Sequence, residues 1–248
     1  MSARRRAAVV ASTGLGAALL PSALSLGPVR AVLMPMAHDR RLSGISDRAH
    51  VALTFDDGPD PRSTPSFLEL LDRYAVRATF FVLGRHAGDR GLLRETAAAG
   101  HEVGVHGWDH RPVLLKSARG LRDDMLRTRD LVEDATGTRV RWYRPPYGLV
   151  SAHAWRAAGQ AGLETVLWSA WGRDWERRAT TASVARRVAH QLRPGGTVLL
   201  HDSDRTSAPG SWRATLSAVE LLVPAWREAG LAVGPLAEHW TPPPDAAA

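Results

Sequence analysis

The chain has 248 residues, 44% of them hydrophobic and 23% charged, which is enough apolar content for one substantial core. It contains no cysteine, which excludes a disulfide scaffold, a thiolate zinc site, a cysteine nucleophile and a lipidated-cysteine anchor. The formal net charge is +7, and all but one of the 32 basic residues are arginine, Lys116 being the only lysine. These arginines are interspersed with Asp and Glu, as in residues 121–130, and form no basic face of the kind nucleic acid requires. No nucleic-acid partner is expected. A general arginine and alanine bias accounts for the charge, with attraction to an anionic surface such as a cell wall as the alternative.

At the start, Arg4, Arg5 and Arg6 precede an uncharged run over residues 7–20, and Val29, Arg30 and Ala31 supply a small-residue cleavage pattern. Residues 1–31 therefore read as a secretory signal. The run is shorter than the about 20 apolar residues of a membrane span. An uncleaved anchor is the alternative, and any membrane contact would come through this segment alone. The mature protein is expected to be secreted or on the cell surface. Residues 32–48 read as a linker, 49–240 as the single catalytic domain and 241–248 as a frayed tail.

Within the domain, short β-type runs alternate with amphipathic helical stretches. Strand 51–55 leads to helix 64–74, strand 78–83 to helix 88–99, and strand 102–105 to helix 117–136. Strand 140–143 then leads to helix 152–161, strand 164–168 to helix 181–192, and strand 197–200 to helix 211–229, before a last strand at 231–233. Gly100, Gly137, Gly162 and Gly230 follow helices as stop signals. Strict alternation predicts an α/β fold, a distorted barrel of about seven parallel strands covered by helices. No stripe for self-association stands out, so a monomer is the default expectation.

The unusual polar residues fall at strand ends. Asp56 and Asp57 follow the first strand, His106 the third, Arg144 the fourth, and His201 and Asp202 the sixth, while Asp174 lies in the loop after the fifth. In parallel α/β barrels that rim is where sites are built. His106 and His110 are four residues apart and can reach one metal ion, and a carboxylate beside them leaves coordination positions open. Surface histidines and an ordinary Asp-Gly turn would explain each feature singly. They do not explain the whole stretch from Leu53 to Pro59 together with the other strand ends.

These residues belong to five ordered motifs: Thr54-Phe-Asp-Asp-Gly-Pro59, Gly100-His-Glu-Val-Gly-Val-His-Gly-Trp-Asp-His110, Arg144-Pro-Pro-Tyr-Gly148, Asp174-Trp175, and Val198-Leu-Leu-His-Asp202. Over residues 51–233 the chain resembles the polysaccharide deacetylases, the NodB-homology domain of carbohydrate esterase family 4. The resemblance implies a metal-dependent hydrolase removing N-acetyl groups from cell-wall or chitin-like polysaccharide. It implies that Asp57, His106 and His110 hold a divalent cation, zinc first, with cobalt or another transition metal possible in its place. Asp56 would be the general base, oriented by Arg144, and His201 the general acid. The Tyr147 backbone amide would help bind the oxyanion, and Trp175 and Leu199 would line the pocket. Such a division suits an amide, which is a poor electrophile with a basic leaving group.

Two positions depart from the family pattern. Gly107 stands where relatives carry Ser or Thr, and Trp171 where they carry an acid that tunes the catalytic histidine. The partner of His201 is therefore open among Asp174, Asp202 and Asp204. Trp108 and Trp171, both in rim loops, are candidates for stacking on a sugar ring. The acetylated substrate is open among peptidoglycan, chitooligosaccharide and O-acetylated xylan. A non-catalytic carbohydrate-binding protein on the same scaffold, or an amidohydrolase acting on small amides, would be the competing reading.

Overall fold

The structure, a computed structural model, describes residues 40–240. In chain order its main elements are β1 (His50–Asp56), α1 (Thr64–Arg73), β2 (Thr79–Val82), α2 (Arg90–Ala98), β3 (Glu102–Val105), α3 (Ala118–Thr136) and β4 (Trp142–Tyr143). They continue with α4 (Ala152–Gln160), β5 (Glu164–Thr165), β6 (Ala170–Trp171), α5 (Thr181–Gln191), β7 (Thr197–His201), α6 (Trp212–Glu228) and β8 (Ala232–Gly234). The strands form one sheet in the order β5-β4-β3-β2-β1-β7-β6, with every pairing parallel. β8 pairs with the first half of β1, at His50 to Ala52, while β2 pairs with its second half.

The expected barrel is present, with one revision at its seam. The run 164–168 reads as one strand, but the structure ends β5 at Thr165 and forms the next strand, β6, only at Ala170 and on the opposite sheet edge. β5 closes one edge beside β4, and β6 the other beside β7. Residues 166–169 cross the gap. Val166 donates its N–H to the Tyr143 carbonyl at 2.9 Å, and Ser169 donates to the Thr197 carbonyl at 3.0 Å. Val166, Leu167 and Trp168 are buried there, so apolar side chains fill the seam that a ladder would close in a regular barrel.

Strand alternation distributes β1 between two environments. Val51, Leu53 and Phe55 point outward into the core beneath α1, α5 and α6, with Phe67, Leu71, Val184, Val188, Val219 and Val223. Ala52 points inward, where it meets Phe81, Trp142, Val166 and Leu236. Thr54 and Asp56 carry the inward row upward and meet the buried Arg144. The barrel interior thus combines an apolar cluster around Ala52 with a Thr79–Glu102–Trp142 hydrogen-bonded group at the amino-terminal strand ends, and is polar again at the carboxyl-terminal rim. A second helical core lies under α2, α3 and α4, around Leu93, Val105, Met125, Val132 and Ala158.

The folded unit begins before residue 49. A single turn at Arg40–Ser43 leads to Ile45, which bridges Gly196 in antiparallel fashion, and Ser46 N–H donates to the Gly195 carbonyl at 2.8 Å. Leu42 and Ser46 are buried, so the end of the expected linker is docked by backbone bonds and one apolar side chain. The expected signal at 1–31, residues 32–39 of that linker and the tail at 241–248 lie outside the described residues. Among the described residues no helix is long and apolar enough to cross a membrane.

Phe55 is fully buried, stacked on Phe80 and edge-on to Phe67, with both ring centroids 5.1 Å away. We expect Phe55→Ala to lower the unfolding free energy by about 3–5 kcal/mol in denaturant titration. A loss within measurement error would show that this layer is not the core.

Candidate active site

The site begins with a break in β1. A continuing strand would send Asp56 and Asp57 to opposite faces. Asp57 instead adopts a left-handed backbone, φ 76°, a conformation that Asp tolerates better than most residues. Both carboxylates consequently face one cavity at the rim, of about 220 Å³. The backbone holds the break in place: Asp57 N–H donates to the Phe81 carbonyl at 3.2 Å.

The two acids have different partners. Asp56 Oδ1 accepts from Arg144 Nη1 at 2.9 Å, and the same nitrogen donates to Thr54 Oγ1 at 2.6 Å. Arg144 Nη2 donates to the Leu167 carbonyl at 3.1 Å, and the guanidinium lies 4.2 Å from the centre of the Phe81 ring. Arg144 is wholly buried, so the pair sits where removing one charge strands the other. Burial raises the Asp56 carboxyl above its ordinary pKa, and Arg144 works in the opposite direction. Burial likewise lowers the Arg144 guanidinium, which Asp56 opposes. Pairing through Oδ1 leaves Asp56 Oδ2 on the cavity side, 3.8 Å from His106 Nε2.

Asp57 meets the two histidines. Its Oδ1 lies 3.4 Å from His106 Nε2 and 3.4 Å from His110 Nε2, and it has no hydrogen-bond partner. One ligand atom from each of the three residues falls within 4.8 Å of the others. The tautomer of His106 decides what that approach means. Its Nδ1 lies 2.8 Å from the Arg144 carbonyl, which only accepts, so Nδ1 carries the hydrogen and Nε2 presents a lone pair. Burial holds the His106 pKa down to about 3, so a second proton does not resolve the contact at neutral pH. A lone pair facing a carboxylate oxygen in a buried site calls for a cation between them. The donor set, two imidazoles and one carboxylate, fits zinc and the neighbouring transition metals.

On the opposite side stands His201. Its Nδ1–H donates to Asp174 Oδ1 at 3.0 Å, and its backbone N–H donates to Asp174 Oδ2 at 2.8 Å. Thr215 Oγ1 donates to the same Oδ2 at 2.8 Å. Burial alone would lower the His201 pKa, but the charge and hydrogen bond of Asp174, with Asp57 and Asp56 behind it, raise it to about 10. The question left by Trp171 is thereby answered: the partner is Asp174. Asp202 is instead bonded by Thr64 Oγ1, and Asp204 accepts from Arg62 Nη2 at 2.9 Å and from Gly210 N–H at 2.6 Å.

Aromatic residues form one wall. Trp168, Trp171 and Trp175 succeed one another, with ring centroids 6.1 Å and then 5.2 Å apart, and Trp175 stands edge-on to His201 at 5.5 Å. Leu199 lies beside them on the same cavity, and Tyr147 lies across it, its ring 4.4 Å from His110. Tyr147 sits in the turn Pro146–Gly148 with a left-handed φ of 60°. Gly148 is required there, because a Cβ would fall 2.5 Å from Trp168 Cη2.

Trp108 is the exception among the expected site residues. Its ring packs against Gly84 and beneath the Arg127 guanidinium, 3.4 Å away, and does not line the cavity. This half-buried ring takes a cationic cover from Arg127 on α3. Gly107, with φ 102°, keeps its loop in place without a hydroxyl of its own. Its carbonyl accepts from Gly84 N–H at 3.0 Å and from Thr128 Oγ1 at 3.2 Å, and Lys116 ties Asp109 of the loop to Asp124 of α3. The sequence alone does not single out Trp168, Thr206 or Ser207, which also line the cavity. Periodicity carries no signal for the last two, which sit in an irregular loop.

Comparison with known proteins places these features in a family. The sequence model described as polysaccharide deacetylase matches residues 44–166. The chain is 38% identical over 159 residues to the peptidoglycan-N-acetylglucosamine deacetylase PgdA of Listeria monocytogenes, covering 64% of this chain and 33% of that protein. This chain thus spans about a third of the length of that relative. It is 36% identical over 196 residues to the chitooligosaccharide deacetylase of Sinorhizobium fredii, covering 76% of this chain and 91% of that protein. Among solved structures, a family 4 acetyl xylan esterase from Clostridium thermocellum in complex with a cobalt ion superposes with a TM-score of 0.69 at 30% identity, over 76% of this chain and 89% of that one.

His110 is partly exposed and packs only against the site's own His106 and Tyr147 rings, outside the apolar clusters of the core. We expect the purified chain to bind one divalent cation per molecule, and His110→Ala to weaken zinc binding by at least about 100-fold in calorimetric titration. Equal affinity in the variant would remove His110 from the ligand set.

Proposed function

This chain belongs to the polysaccharide deacetylase family, and from that premise we propose that it is a metal-dependent hydrolase removing N-acetyl groups from an extracytoplasmic polysaccharide. One observation carries the reading: the unresolved contact among Asp57, His106 and His110 opens onto the same cavity as Asp56 Oδ2 and the Asp174-bound His201. Asp57, His106 and His110 would hold the cation, with zinc as the proposed metal and cobalt as a substitute. When bound, such a cation supplies Lewis-acid polarisation of the acetyl carbonyl and acidifies the attacking water.

The chain's own residues do the rest. Arg144 fixes Asp56 through Oδ1, so Oδ2 takes the proton from water as its oxygen bonds the carbonyl carbon. The Tyr147 amide, in its left-handed turn beside His110, is assigned to the oxygen that gains charge. Asp174 fixes the Nδ1–H of His201 and keeps the ring protonated, so Nε2–H delivers a proton to the sugar nitrogen as the C–N bond breaks. The products are acetate and a free amine. Trp168, Trp171, Trp175 and Leu199 present an apolar wall suited to the C–H face of a sugar ring and the acetyl methyl.

Among substrates we place N-acetylated peptidoglycan and N-acetylglucosamine oligomers first, following the activities of the Listeria and Sinorhizobium relatives. The likeness to an acetyl xylan esterase supports O-acetyl esters as a second class, since the same arrangement cleaves the weaker bond. The signal-like residues 1–31 support export, and a monomer meets the needs of a site built within one chain.

We expect acetate release from N-acetylglucosamine oligomers or peptidoglycan to vanish on chelation and return with zinc or cobalt, and Asp56→Asn to lower kcat by about 100-fold or more. Sugar binding without acetate release under any metal would instead make the protein a lectin-like relative. The rate should fall on the acid side as Asp56 takes up a proton, and on the alkaline side as His201 loses its own. Because Asp174 raises the His201 pKa, Asp174→Asn should move the alkaline limb to lower pH. An unmoved limb would separate Asp174 from the acid.

A further inference from the structure

Asp57 has two oxygens, and the structure treats them differently. Oδ1 faces the Nε2 atoms of His106 and His110 and has no hydrogen-bond partner. Oδ2 accepts a hydrogen bond from the hydroxyl of Thr206, and it also lies 3.7 Å from His201 Nε2. Two donors therefore compete for Oδ2. If His201 took it, the imidazolium would be spent on a ligand carboxylate and turned away from the leaving nitrogen. If neither took it, the carboxylate would be free to rotate about its Cβ–Cγ bond and present either oxygen.

The loop carrying Thr206 is braced, although Thr206 itself is exposed. Asp204 accepts from Gly210 N–H at 2.6 Å and from Arg62 Nη2 at 2.9 Å, anchoring the loop to itself and to the segment after β1. Ser203 Oγ accepts from Arg205 N–H at 3.1 Å, and Ala208 N–H donates to the Trp175 carbonyl at 3.1 Å. The hydroxyl is thus presented from a fixed backbone, which is what an outer partner of a metal ligand requires.

We infer that Thr206 is a positioning residue for the metal centre: its hydroxyl holds Asp57 Oδ2, so that Asp57 binds through Oδ1 alone and His201 stays free to act as the acid. The inference rests on the metal-centre reading above and adds to it a residue that none of the five sequence motifs contains.

The test is the zinc affinity of the full chain, read by competition with a chromophoric chelator, for the parent, T206V, T206S and S203A. T206V keeps the branched shape and removes the donor; it should weaken zinc binding by about 10- to 100-fold, as loss of an outer ligand partner does elsewhere. T206S should keep the parent's affinity. The melting temperature of metal-stripped T206V should match that of the metal-stripped parent, because an exposed side chain contributes no core packing. Zinc binding by T206V as tight as the parent's would overturn the inference. So would an equal loss in S203A, which disturbs the loop without touching Asp57 and would assign the effect to loop order. A parent that binds no zinc would overturn this inference and the metal-centre reading together; parent binding with unaffected T206V overturns this inference alone.

Discussion

Three ligand atoms face one another at the rim: the carboxylate oxygen Oδ1 of Asp57 and the ring nitrogens Nε2 of His106 and His110, the first two of them both acceptors. Such an approach is unfavourable in a chain with nothing between the atoms, and folding tolerates it because the surrounding structure over-determines it. The left-handed turn at Asp57 aims the carboxylate, and the Arg144 carbonyl fixes the His106 ring. The cost of that arrangement is the affinity of the centre for a cation. Its position at the rim follows from the barrel, whose apolar floor of Trp142, Phe81 and Leu236 supports the polar rows above.

Around this centre the charges are sorted in pairs. Arg144 neutralises Asp56 from inside the barrel and leaves its second oxygen to the cavity. Asp174, supported by Thr215, does the reverse for His201, holding a positive ring in a place where burial favours a neutral one. Base and acid therefore differ because their partners differ, one being paired with a cation and the other with an anion. Both partners come from strand ends or adjoining loops, so the sheet register that aligns Asp56 with His201 also sets the span between base and acid.

Much of this was legible in the sequence, for a physical reason. Side chains that do chemistry in a parallel barrel must sit at strand ends, and Asp56, Asp57, His106, Arg144 and His201 do so in a pattern that alternation alone locates. Other features depend on contacts distant in sequence. Residues 166–168 are apolar and buried, and only the closing of the sheet decides that the strands flanking them, β5 and β6, join different edges. Trp108 and Trp171 both read as loop residues in the sequence, but the fold places Trp171 on β6. Arg127 covers the first, while its neighbours Trp168 and Trp175 turn the second to the cavity. Likewise, Asp174, Asp202 and Asp204 are equivalent candidates until the fold gives one of them to His201. Thr206 has no pattern at all, because a hydroxyl in an irregular loop acquires meaning only from what it touches.

The central claim is that His106 holds its hydrogen on Nδ1 and offers Nε2 to a cation shared with Asp57 and His110. Nitrogen-15 NMR of the histidine rings in metal-stripped protein at neutral pH reads this directly. His106 is expected to be neutral and protonated at Nδ1, with its Nε2 resonance moving when zinc is added. A His106 protonated at Nε2, or an Nε2 resonance indifferent to zinc, would contradict it.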